Sequence, residues 1–263
     1  MSIPRFRNKS IDEVTVIPII IENFFDISKI GIFSSIPALR AKLKDCPDIV
    51  GMNGVEVSLM NALCTLSETG GYIPGWEYLA SPIDDEELNI CKEIDVCLSP
   101  YNLLINQFKS SGRMLQSVMK WVFISNNTSN FSEGSDWHFD PIGSSAWMVQ
   151  LVGSKRWTVL LADGSVILGD LRPSDLLLLP PGLEHKVENA PGENIAISHN
   201  WIDSRNCERM WNEVDRALST YSTLEALQEG TDNLLFGLIM VLTRNIEMVQ
   251  SKEIIEKLKK LKI

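Results

Sequence analysis

Apolar and polar positions alternate in three successive textures along the chain. The first apolar run, Val14-Thr15-Val16-Ile17-Pro18-Ile19-Ile20-Ile21, is rich in β-branched residues and suits a strand, with Pro18 marking an edge or a break. A helix is expected next, over Ile36 to Leu43. From there to about Leu98 no period dominates. Gly70-Gly71 and Pro74-Gly75 read as breakers, and Asp84-Asp85-Glu86-Glu87 as the opening of a short helix.

Between Val118 and Ile202 the texture changes to short apolar runs. Trp121 to Ile124, Ala146 to Val152, Arg156 to Leu161, Leu176 to Leu179, His185 to Glu188 and Ile195 to Trp201 all read as strands. They are punctuated by Gly153-Ser154, Asp163-Gly164, Pro173-Ser174-Asp175, Pro180-Pro181-Gly182 and Ala190-Pro191-Gly192, each suited to a tight turn. Many short strands at this spacing predict an antiparallel sandwich or barrel. After Asn206 the period becomes helical: Met210, Val214, Ala217 and Tyr221 share one face, and Leu227, Leu234, Leu238, Leu242 and Ile246 another. Two helices joined near Gly230 are expected. The fold class is therefore mainly β with flanking helices. Its expected division is an N-terminal mixed α/β segment over residues 1–117 that packs on the barrel, a β core over 118–205, and a C-terminal helical region over 206–263.

Composition narrows the function classes. A chain of 263 residues with 44% hydrophobic content can bury one sizeable core. A net charge of −10 repels polyphosphates and argues against nucleic acid as a partner. The basic run Lys257 to Lys262 reads as a solvated helix end. Five scattered cysteines without C-x-x-C spacing read as reduced thiols, so a cytoplasmic protein is expected. No apolar leader is visible, and Leu234 to Leu242 is too short to cross a bilayer, so neither secretion nor a membrane is expected.

The chain has only three histidines, and two stand beside chemistry. His138-Phe139-Asp140 places two ligand-type side chains at i and i+2, which an extended backbone points to the same side. His185 opens a strand after the rigid Pro180-Pro181-Gly182 turn, which can deliver it to an opposing wall. Two histidines and one carboxylate form the facial set that leaves positions open on Fe(II). Alone, an H-x-D also fits an aspartate capping a turn beside a half-exposed histidine.

Four segments in order carry a resemblance. Ser135-Asp136-Trp137-His138-Phe139-Asp140-Pro141 resembles the T-P-x-H-Y-D segment of the JmjC-like, cupin-fold hydroxylases. Gln150 to Trp157 resembles their Q-x-x-G-x-K-R-(aromatic) hairpin. Pro173 to His185 resembles G-D-x-L-x-x-P-P-G-x-x-H, and Ser198-His199-Asn200-Trp201 the closing S-x-N-(aromatic). The likeness covers roughly Trp121 to Ile202, with a weaker one over Val14 to Asp26.

This resemblance implies a double-stranded β-helix (jelly roll or cupin) core and an Fe(II)- and 2-oxoglutarate-dependent dioxygenase that hydroxylates a C–H bond of a small molecule or a protein side chain. It implies that His138, Asp140 and His185 bind the iron, and that Lys155 pairs with the distal carboxylate of 2-oxoglutarate. Ser135 would donate to that carboxylate, and Asn200 would lie near co-substrate or metal. The chain departs from the pattern in having Ser135 for threonine and Leu183-Glu184 where aromatics often precede the second histidine. His199 alternates with Asn200 and is expected to face away. Trp137, Trp147, Trp157 and Trp201 suit core or wall packing, with a place at the substrate mouth as the alternative for one of them, Trp137 being nearest the ligands. The C-terminal helices either cap the barrel or pair two copies in a homodimer. Two rival readings are a non-catalytic binding or sensor protein of cupin type, and a metal-dependent cupin enzyme that does not use 2-oxoglutarate.

Overall fold

The computed structural model describes residues 1–7, 16–52, 54–77, 94, 97–98, 119–128, 131–231, 233–246, 249 and 251–261. The elements run β1 (Arg5–Arg7), β2 (Ile19–Glu22), α1 (Ile36–Lys42), β3 (Ile49–Met52), β4 (Val55–Ser58), α2 (Leu59–Glu68) and β5 (Gly71–Trp76). Eight strands follow: β6 (Lys120–Asn127), β7 (Ser132–His138), β8 (Ser145–Val152), β9 (Lys155–Leu160), β10 (Val166–Leu171), β11 (Leu176–Leu179), β12 (Glu184–Asn189) and β13 (Gly192–Trp201). The chain closes with α3 (Cys207–Thr220), α4 (Leu224–Gly230), α5 (Asn233–Arg244) and α6 (Lys252–Lys260).

The strands form a mainly β architecture. A seven-stranded mixed sheet has the order β1-β2-β11-β8-β13-β6-β5, a four-stranded sheet the order β10-β9-β12-β7, and β3 and β4 make a separate hairpin. Only β1 and β2 pair in parallel among these neighbours. From β6 to β13 the chain passes back and forth: β6, β8, β11 and β13 enter the large sheet, and β7, β9, β10 and β12 the small one.

Alternation along the large sheet feeds two cores. Trp147, Val149 and Leu151 of β8 pack with Leu176 and Leu178 of β11 against the N-terminal helices, in a cluster that includes Phe33, Leu39, Leu63 and Leu66. Ala146 and Met148 turn the other way, toward Trp157, Val159 and Val187 of the small sheet. Since β11 is buried on both faces, its four leucines show no alternation in the sequence. Serine caps fix the helices: Ser35 Oγ accepts from Ala38 N–H at α1, and Ser58 Oγ from Asn61 N–H at α2.

Several expectations shift. The strand expected from Val14 begins only after Pro18, as β2, and is preceded by the unexpected β1; Val16 and Ile17 are exposed, and Val14 and Thr15 lie outside the described residues. Pro74-Gly75 does not end a strand. It sits inside β5, an edge strand whose register with β6 slips between Ile73 and Trp76, where a missing N–H is tolerated. Strand β7 is polar and has no apolar run to mark it, whereas β10 opens with the apolar run Val166-Ile167-Leu168, which is not among the expected strands. Among the described residues the region after Asn206 contains four helices rather than two: Thr223 caps a new helix after Tyr221 that ends at Gly230, and Ser251 caps another at Lys252. Met210, Val214, Ala217, Leu227, Leu238 and Leu242 do meet in one apolar cluster. The Asp84 to Glu87 helix falls outside the described residues. Among the described residues no helix is long and apolar enough to cross a membrane.

Candidate metal centre

Strands β7 and β12 pair antiparallel with His138 directly opposite His185, and the two rings lie 4.3 Å apart between centroids. Asp140, two residues past His138 on extended backbone (φ −59, ψ 146), points to the same side. One ligand atom from each of His138, Asp140 and His185 falls within 4.8 Å of the others, so the trio can hold a metal ion.

The hydrogen bonds around the trio support that use. His138 Nδ1 is 2.6 Å from the Asp136 carbonyl oxygen, and His185 Nδ1 is 3.0 Å from that of Leu183. Each Nδ1 must carry the proton it donates there, which leaves both Nε2 lone pairs for a metal. Burial pushes the His185 pKa down, the neighbouring His138 adds to this, and Asp140 opposes it. The neutral imidazole is the ligating form. Trp157 stacks on His185 at 5.2 Å and fixes its ring plane.

The helical region reaches this centre through one side chain. Beyond Asp140 the backbone turns through Ile142 at φ 49, a conformation that costs a β-branched residue roughly 1–3 kcal/mol. Burying the Ile142 side chain in the helical cluster offsets the strain. Arg209 of α3 then fills the angle between the two ligand-bearing loops. A Cβ at Gly143 would lie 2.7 Å from Arg209 Nε, and one at Gly182 would lie 2.9 Å from its Nη1. The guanidinium also sits 5.0 Å from the Phe139 ring, between the first two ligands in sequence. Both glycines have positive φ, so these two loops need glycine for backbone and for space.

A cavity of about 520 Å³ opens beside the trio, between the two sheets. Lys155 lies on its wall, 1% exposed, with its ammonium 5.7 Å from the Tyr72 ring and 5.8 Å from that of Phe123. Its hydrogen-bond acceptor is the amide oxygen of Asn189, the residue opposite it on β12. Burial lowers the Lys155 pKa to about 7. Tyr72 Oη stands 3.5 Å from Ser135 Oγ, and burial raises the tyrosine to about 12. Among the described residues the indole N–H of Trp157, also on the wall, has no acceptor. With the Lys155 ammonium it makes two donors that an anionic guest would satisfy.

All six residues singled out from the sequence, His138, Asp140, His185, Lys155, Ser135 and Asn200, line this one cavity. Asn200 Nδ2 donates to Ser144 Oγ at 2.8 Å. His199 lies on the other face of β13 against Trp147, at 4.2 Å. Trp147 and Trp201 are buried, while Trp137 is 43% exposed at the cavity edge. Sequence reasoning missed Tyr72, Asn189 and Arg209. No local pattern marks them, because each is brought in by strand pairing or helix docking. No protein-family model matches the chain, and neither does any curated protein.

Proposed function

We propose that the chain is an Fe(II)- and 2-oxoglutarate-dependent oxygenase built on a double-stranded β-helix, of the JmjC-like, cupin-fold kind. The alternation of β6 to β13 between the two sheets supports the jelly-roll reading. One observation carries the co-substrate reading: a buried lysine with no carboxylate partner among the described residues lies in the same cavity as a two-histidine, one-carboxylate trio.

When bound, Fe(II) with a 2-oxo acid supplies the redox chemistry by which O₂, 2-oxoglutarate and a C–H bond give a C–OH bond, succinate and CO₂. The protein's part is placement. His138, Asp140 and His185 would hold the metal on one side and leave positions open. Lys155 would neutralise the distal carboxylate, with Ser135 and Tyr72 donating hydroxyl hydrogen bonds beside it. Asn200, held by Ser144, would present its side chain to the metal end of the cavity. The apolar walls, Met148, Phe123 and Trp157, exclude water so that these few polar groups act in a low dielectric. The exposed Trp137 rims the mouth toward a small-molecule or polypeptide substrate.

Succinate release by the Fe(II)-loaded chain, with 2-oxoglutarate under air, tests the reading. Turnover is expected in the wild type and its loss in His138→Ala, with the melting temperature nearly unchanged. Equal turnover in that variant sinks the iron assignment. Metal binding without any response to 2-oxoglutarate would favour a cupin enzyme of another kind or a sensor.

A further inference from the structure

We propose that Asn189 determines what the cavity accepts: it gives Lys155 a neutral hydrogen-bond partner in place of an internal carboxylate, and so reserves the lysine for a carboxylate brought by a ligand. The inference deepens the function proposed above and rests on it.

Two half-buried arginines of the protein are matched with acids. Arg5 reaches Asp175 at 2.5 Å and Glu22 at 2.7 Å, and Arg205 reaches Asp203 at 2.7 Å. Lys155 is more deeply buried than either arginine, yet it meets an amide. Position 189 is where a matching acid would naturally stand. It pairs across the ladder with Lys155, and it shares the inward face of β12 with His185 and Val187. An aspartate has almost the same shape and would make a closed, neutral ion pair.

The amide is also held in place. Asn189 is fully buried, its backbone carbonyl accepts from Asn127 Nδ2 at 3.5 Å, and a Cβ on Gly134 would come within 3.0 Å of its Nδ2. Among the described residues that Nδ2 has no acceptor. Asn189 does not itself line the cavity, so it acts through the Lys155 ammonium, whose charge the neutral amide leaves unmatched. With asparagine at 189, an arriving carboxylate completes a neutral arrangement. With aspartate there, the same arrival would bury a second negative charge against one lysine. The residue thus discriminates between guests that carry a terminal carboxylate and those that do not.

The experiment measures binding of 2-oxoglutarate, succinate and glutarate to the Mn(II)-loaded chain by calorimetry, in wild type, Asn189→Asp, Asn189→Ala and Lys155→Met. Asn189→Asp is expected to weaken 2-oxoglutarate by at least about 100-fold, with Mn(II) affinity kept. Asn189→Ala leaves the lysine charged and open, so it is expected to stay within about tenfold of wild type. Unchanged affinity in Asn189→Asp overturns the proposal. So does an Asn189→Ala variant as damaged as Lys155→Met, which decides the matter even where the aspartate variant does not fold. A wild type that ignores 2-oxoglutarate but binds succinate or glutarate ends the co-substrate reading and leaves Asn189 to be judged with that acid. Failure of all three acids to bind wild type overturns both.

Discussion

The two faces of the large sheet are made by the same strands and do opposite work. On the outer face Trp147, Val149, Leu151, Leu176 and Leu178 meet the N-terminal helices in a close-packed cluster whose members are almost wholly buried. On the inner face Ala146, Met148 and Ser198 border a cavity of about 520 Å³ that remains between the sheets. The outer face has few polar groups to satisfy. The inner face carries Asn200 and looks across the cavity at Lys155 and the metal trio, which the small sheet brings. A two-residue period lets one strand store stability on one side and spend part of it on chemistry on the other. The polar groups can be oriented because the apolar side holds the backbone rigid.

The largest expected break in this contrast comes from across the cavity, on the small sheet. Lys155→Met should weaken 2-oxoglutarate binding by about two orders of magnitude or more, since leaving one side of a buried ion pair bare costs about 3–5 kcal/mol. Metal binding should survive, and titration of 2-oxoglutarate into the Mn(II) form reads both. Equal affinity in the variant would make Lys155 an ordinary hairpin lysine.

A matched pair of truncations sharpens the comparison itself. Leu176→Ala on the outer face should cost about 2–5 kcal/mol of unfolding free energy, with Mn(II) affinity unchanged. Met148→Ala removes a side chain of similar size that borders open volume, so it should cost less than about 2 kcal/mol while altering ligand affinity. Denaturant melts of both variants would settle this. Equal costs would mean that the inner face is packed as tightly as the outer one.

The pH dependence of stability separates the faces without any change in packing. Burial holds Lys155 at a pKa of about 7, below its ordinary 10.5. Between those values the unfolded chain binds a proton that the folded chain does not, so stability rises with pH, at a limiting slope of about 1.4 kcal/mol per unit. The groups facing the lysine are Asn189 from β12, Tyr72 from β5 and Phe123 from β6; His138, Asp140, His185 and Ser135 share its cavity. Tyr72, raised to about 12, acts in the opposite sense and lowers stability above its ordinary 10. Ligand-free wild type minus Lys155→Met, followed by urea melts across this range, should isolate the rising component. Acid binding above neutral pH should also take up about one proton, seen as a buffer-dependent enthalpy.

The smallest effect is expected where the helical region meets the site. Arg209→Ala should leave the three ligands intact but loosen the loops that carry them, lowering metal affinity by about tenfold. A Co(II) absorption spectrum that shifts in Arg209→Ala and recovers in Arg209→Lys would distinguish positioning from general destabilisation. An unchanged spectrum and affinity would reduce Arg209 to packing.

Much of the cavity lining was readable in the sequence because its residues sit beside strong local signals. His138 and Asp140 are two apart, Lys155 follows a Gly-Ser turn, and His185 follows Pro-Pro-Gly. Each signal fixes the direction of a side chain within a few residues. Strand β7 was not read, since a polar edge strand has no apolar run and gains its order from the neighbour it pairs with; β10 was passed over although Val166-Ile167-Leu168 marks it. The helical region was read as helical but divided wrongly, because Thr223 starts a new helix where the apolar spacing alone runs on.

What the sequence by itself determined is therefore the texture of the chain and the local geometry of four short segments. Periodicity and turn chemistry depend only on neighbours along the chain, and they mark a β core, a helical tail and the candidate ligands. Tertiary structure decided which of these segments face one another. It set His138 opposite His185, brought Tyr72 from an edge strand beside Ser135, and placed Asn189 rather than an acid across from Lys155. Those relations depend on strand register and sheet order, which long-range burial selects and no local pattern encodes.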